Sequence, residues 1–147
     1  MKRTNKIRLI VFGTLCVLLV ILMFGFAGKT ETYHAPMEKI RCYEGSFRKE
    51  EYLPCVREAL NSYVPRKQRL SSKEEAVLAG AEALRYMDSK TNKGREKLEV
   101  RIVTHCAEEQ LWIVYCCPQD WTEDTTGTAF VIVFGEENGE MLGTYLN

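Results

Sequence analysis

The sequence predicts an α+β fold: an N-terminal transmembrane helix, then two helices packed on a curved four-stranded antiparallel sheet. Three observations predict it. Residues 9–27 form an uncharged apolar run, apolar side chains then recur at helical spacing between residues 54 and 87, and from Lys97 the spacing falls to two.

The first element is LIVFGTLCVLLVILMFGFA, preceded by Lys2, Arg3, Lys6 and Arg8 with no acid among them. A helix of that length rises about 28 Å, enough to cross a hydrocarbon core of roughly 30 Å. Cations before it and a neutral-to-acidic chain after it place the N-terminus in the cytoplasm. The expected organisation is a cytoplasmic basic segment 1–8, a transmembrane signal-anchor 9–28, a linker 29–47 and an extracytoplasmic domain 48–147. The location is then the cell membrane, single-pass, with the C-terminal domain outside. The length of the run favours an uncleaved anchor. Gly25 and Ala27, small residues at −3 and −1, keep open a cut before Gly28 and a secreted product.

The chain holds 20 Lys and Arg against 20 Asp and Glu. Without the four N-terminal cations, 16 basic residues face 20 acidic ones, a balance of −4 that gives no basic face for nucleic acid. The short run Arg66-Lys67-Gln68-Arg69 reads as a solvated linker.

The first helix is predicted to start near Pro54, with Val56, Ala59, Leu60 and Tyr63 on one face and Pro65 ending it. The second opens on Ser72-Lys73-Glu74-Glu75, a capping box. It carries Val77, Gly80, Ala81, Leu84 and Met87 as a narrow stripe. The small residues in it let the helix lie close on a sheet.

Four strands follow. Leu98–Cys106 alternates, and a turn at Ala107–Gln110 leads into Leu111–Cys117. After a ten-residue loop comes Thr128–Phe134, apolar on both faces. Asn138-Gly139 then turns the chain into Glu140–Leu146. If Cys106 faces Leu111, strict alternation puts Leu98, Val100, Ile102, Thr104, Cys106, Leu111, Ile113, Tyr115 and Cys117 on the helix-covered face. Glu99, Arg101, Val103, His105, Trp112, Val114 and Cys116 then fall on the more open face.

Five cysteines lie outside the apolar run. In an oxidising exterior some are expected to pair, and the odd count leaves one over. Cys42–Cys55 is the favoured bridge, with Cys55–Cys117 as competitor. Cys116 and Cys117 point to opposite faces and do not pair with each other. Cys106 is too far along the ladder from either. A thiol redox or metal-binding module using Cys116, Cys106 and His105 is the alternative function. It is the weaker one, because the vicinal pair sits in a strand rather than at a helix N-terminus.

The sequence has no H-E-x-x-H, P-loop, G-x-S-x-G or G-x-G-x-x-G. No enzyme activity, no cofactor and no metal are expected. The long loop Pro118–Gly127 carries Asp120 and Trp121, and the open sheet face adds Arg101, His105 and Trp112. These five residues are the candidate binding surface. The competing reading packs Trp112 and Trp121 on each other over a bare face.

Tyr63-Val64-Pro65, Glu74-Glu75-Ala76-Val77 with Ala79, Ala83 and Leu84, and Leu111-Trp112-Ile113-Val114 resemble the nuclear-transport-factor-two-like bacterial immunity proteins. So do Ala129–Val133 and the ending Asn138-Gly139-Glu140-Met141-Leu142. The resemblance covers residues 63–147, and the helix-then-strands order is also similar to PepSY-type extracytoplasmic domains. The immunity resemblance implies a protein that neutralises a toxin by binding it. The expected function is a membrane-anchored, non-catalytic binding module of toxin-immunity or inhibitor type. Its partner is a protein, either a toxin or a membrane complex in which the chain is an accessory subunit.

Overall fold

A computed structural model describes residues 32–47, 58–91, 97–122 and 129–146. Its centre is a five-stranded mixed sheet of spatial order β1-β2-β3-β4-β5. The strands are β1 (Arg41–Glu44), β2 (Leu98–Cys106), β3 (Leu111–Pro118), β4 (Phe130–Gly135) and β5 (Met141–Leu146). Among the described residues the other elements are a 3-10 turn (Met37–Lys39), a single helical turn, α1 (Glu58–Asn61), and one long helix, α2 (Lys73–Thr91).

Helix α2 starts where its cap dictates. The Glu75 amide donates to Ser72 Oγ at 3.3 Å. The Glu75 carboxylate reaches one residue further back than a simple box, accepting from the Ser71 amide at 2.6 Å and its hydroxyl at 2.9 Å. Those two bonds hold the Glu75 carboxyl below the usual carboxylate range. Ala76, Val77, Gly80, Ala81, Ala83, Leu84 and Met87 form the buried stripe. At Gly80 a methyl group would stand 2.6 Å from Val114 Cγ1 and 3.0 Å from Val100 Cγ2, so glycine sets how closely the helix lies on β2 and β3. Burying a side chain such as Leu84 or Val77 there stabilises the fold by about 1.5–3 kcal/mol.

Four expectations are corrected. The sheet has five strands, because Arg41–Glu44, assigned to the linker, pairs in parallel with β2, Arg41 opposite Ile102 and Glu44 opposite His105. Just before it, the Val100 amide donates to Tyr33 O at 2.9 Å and the Ala35 amide to Val100 O at 3.0 Å. These bonds tie residues 33–44, part of the expected linker, to the edge of the sheet. The parallel pair also makes the sheet mixed rather than antiparallel.

The second correction concerns the helices. One is long, and the expected first helix is, among the described residues, the single turn Glu58–Asn61. Its end is marked by the Tyr63 amide bonding Leu60 O at 3.0 Å. The residues before it, including Pro54 and Cys55, lie outside the described ones.

Third, no helix among the described residues is long and apolar enough to cross a membrane. The expected span, residues 9–28, and the basic segment 1–8 lie outside them, so a transmembrane helix is not an element of the described fold.

Fourth, the helix covers the opposite face of the sheet from the one expected. Cys106 does face Leu111, and the register runs as anticipated to Ile102 opposite Tyr115. Val100 then faces Cys116, leaving Arg101 as the extra residue of a bulge. One extra residue reverses the facing of everything beyond it. Val100 and Val103 therefore share a face, and with Trp112, Val114, Cys116, Phe130, Ile132 and Phe134 they form the core under α2. Cys106, Leu111, Ile113, Val131 and Val133 form a second buried cluster on the other face. The alternation of Glu99 and Arg101 with apolar neighbours marked the wrong side as open.

Candidate functional site

The five candidate residues do not meet. Arg101 and His105 are four residues apart on β2, about 14 Å at roughly 3.4 Å per residue. The structure divides the set between the two ends of the β2–β3 hairpin.

At the turn end, His105 lies opposite Trp112. Their rings stack with centroids 4.4 Å apart at 23°. Trp112 is only 4% exposed, and its Nε1 donates to Leu70 O at 2.8 Å. The cover is the segment leading into α2. Its Gln68 and Leu70 amides donate to Asn138 O at 3.1 Å and Glu136 O at 2.8 Å, so it runs along the β4–β5 turn instead of standing free in solvent. Gly139 makes this docking feasible. Its φ is 64°, and a methyl there would meet Gln68 O at 2.6 Å.

Around the imidazole, Nε2 lies 3.0 Å from Glu136 Oε2 and Nδ1 lies 3.4 Å from Glu44 Oε2. Arg69 approaches the other Glu136 oxygen at 3.5 Å. The bond from His105 is the largest influence on the Glu136 carboxyl; burial opposes it, and the bond from Arg69 adds to that of His105, holding the group below the usual carboxylate range.

At the other end, Arg101 pairs with the nearly buried Glu99 and donates from Nη2 to Gln119 O at 2.7 Å. Asp120 is exposed and Trp121 half-buried, its amide bonded to Pro118 O at 3.0 Å. Trp112 and Trp121 thus stand at opposite ends and do not cover one another. Trp112 is a core residue rather than part of an exposed surface.

Among the described residues Cys42, Cys106, Cys116 and Cys117 are free thiols; Cys55, the shared half of both expected bridges, lies outside the described residues. Cys116 and Cys117 point to opposite faces, but both are buried, and it is Cys116 that lies under α2. Burial pushes the Cys106 thiol up to about 11, with Glu109 and Glu44 adding to it. It pushes Cys116 up further still. Cys117 is also raised by burial, partly countered by Arg101. Reactive cysteines need the opposite shift. Among the described residues no group of three or more His, Cys, Asp or Glu is placed to hold a metal ion.

A groove not anticipated from the sequence lies between the segment before α2 and the helix itself. Tyr63, Pro65, Leu70, Leu78 and Ala79 give it apolar walls, and Arg66, Gln68, Glu75 and Glu82 a polar rim. Its volume is about 130 Å³. Leu78 is 50% exposed, and Val64, between two of the lining residues, is 82% exposed. The sequence signal was the exposed Leu78 on the polar side of α2, one apolar residue among Glu74, Glu82 and Arg85.

Comparison with protein-family models, with curated proteins and with solved structures found no match.

Proposed function

We propose that the chain is a non-catalytic protein-binding module, kept at the outer side of the cell membrane by its apolar residues 9–28. The observation that carries this reading is the groove beside Leu78. At about 130 Å³ it is well below the ~300–1,000 Å³ of sites that enclose a small-molecule substrate. It suits one inserted apolar side chain from a protein surface, with Leu78 and Val64 as the flanking contact and Arg66 and Glu82 as the rim. Among the described residues, His105 is held by Trp112 and Glu136, and the thiols of Cys106 and Cys116 are buried.

The resemblance of residues 63–147 to immunity proteins supports a toxin as the partner. Its competitor is a membrane complex in which the chain is a subunit. The uncharged run and the cations before it support the location.

The test is photo-cross-linking in the native membrane fraction, with a benzophenone amino acid at position 78 and, as control, at the exposed position 142. A single protein adduct from 78 and none from 142 is expected. Equal adducts from both, adducts from neither, or substrate turnover by the purified full chain that is abolished in His105→Gln overturns the reading.

A further inference from the structure

We propose that His105 is a proton-operated latch that holds the C-terminal end of β1 on the sheet. The imidazole stands between two carboxylates from different elements, Glu136 of the β4–β5 turn at 3.0 Å and Glu44 of β1 at 3.4 Å. Only the imidazolium donates from both nitrogens. A neutral ring donates from one and turns a lone pair to the other acceptor.

The two carboxylates are unequal. Glu136 is closer, largely shielded from water, and approached by Arg69 at its second oxygen at 3.5 Å. Glu44 is 76% exposed and free to swing into water. On loss of the proton to solvent, the ring keeps its bond to Glu136, its Nδ1 lone pair faces the Glu44 carboxylate, and Glu44 lets go.

Glu44 comes from β1, and Glu136 from the β4–β5 turn. Arg69 of the segment before α2 acts through Glu136. The uncharged Trp112 ring comes from β3 and stacks on the imidazole. From the β2–β3 turn, Glu109 accepts from the Phe47 amide at 3.2 Å. On β2 itself the neighbouring Cys106 thiol belongs to the opposite face.

What the latch restrains is small and definite. After Glu44, β1 is held by the Gly45 amide on His105 O at 2.9 Å and by the Phe47 amide on Glu109. The Phe47 ring packs against the second buried cluster. Releasing Glu44 removes its own side-chain restraint on this end and leaves the Gly45 and Phe47 amide bonds and the Phe47 packing in place.

The experiment is amide hydrogen exchange of peptides covering residues 41–47 in the full chain, at about pH 5.5 and about pH 7.5, the range in which histidine side chains change charge. Rates are corrected for the intrinsic effect of pH. Protection in the wild type is expected to fall about twofold to fivefold at the higher pH, the scale of a partly exposed ion pair. In Glu44→Gln it should stay constant. As a separate readout, Trp112 fluorescence in a Trp121→Phe background should brighten as the stacked, quenching imidazolium loses its proton. A flat fluorescence profile, unchanged wild-type protection, or the same fall persisting in Glu44→Gln each overturns the latch.

Discussion

The two ends of the β2–β3 hairpin hold similar parts in different ways. Each has a tryptophan, a basic strand residue and an acid. At the turn end, another stretch of chain crosses the tryptophan: Leu70 caps the Trp112 nitrogen, Gly139 brings the crossing segment in, and His105 fills the remaining face. At the other end, Trp121 follows a turn, half-buried, and the basic residue Arg101 is occupied by the strand irregularity it creates. Whether a tryptophan becomes core or surface is decided here by what passes over it, not by the strand that carries it.

Four measurements break or sharpen this contrast. Trp112→Ala should cost about 3–5 kcal/mol in urea unfolding of the full chain, because it opens a cavity in the core and frees the Leu70 carbonyl. Trp121→Ala should cost under about 1 kcal/mol. Equal losses would erase the difference between the ends.

Gly139→Ala should cost about 1–3 kcal/mol, since the residue is at φ 64° and its new methyl meets Gln68 O. The loss should be accompanied by faster amide exchange at Gln68 and Leu70. If stability falls but those amides stay protected, the glycine serves the turn alone.

Arg101→Ala leaves Glu99, 8% exposed, without its ion pair, and should cost about 1–2 kcal/mol at neutral pH. The double change Arg101→Ala with Glu99→Ala should recover part of that, as read in a thermodynamic cycle.

The smallest effect is confined to acid. Glu136 has a native pKa below its unfolded value of about 4.3, so its contribution is complete above that value and is lost as pH falls through the lower native one. Glu136→Gln should therefore flatten the acid limb of the stability profile. Unfolding midpoints from neutral pH down to strong acid check it, and an unchanged limb would show that the bonds from His105 and Arg69 carry no stability.

Sequence pattern identified elements whose signals are local. The cap at Ser72 and the small-residue stripe of α2 are read within a few turns of chain. The register of the first hairpin follows from its turn as far as Ile102, and fails one residue later because nothing in L-E-V-R-I-V announces that Arg101 is extra. Strand β1 was missed for a different reason. Its four residues, Arg-Cys-Tyr-Glu, are all exposed at the sheet margin, so they show no apolar alternation. His105 and Trp112 were singled out, but the partners that define their role are distant in sequence. Glu136 is 31 residues from His105, and Leu70 is 42 from Trp112. Such pairings leave no periodic trace, and the basic run that brings Leu70 into place looks like any solvated linker.

The parallel pairing of β1 has a consequence for the order of assembly. Arg41 meets Ile102 across about 60 intervening residues, a closure whose entropy must be met before the pair returns anything. Helix α2 and the β2–β3 hairpin rely on contacts much closer in sequence. β1 leaves the ribosome before all of them and yet has nothing to pair with until β2 exists, so its docking is expected to follow formation of the hairpin. Refolding experiments should find protection at β1 lagging behind that of the hairpin.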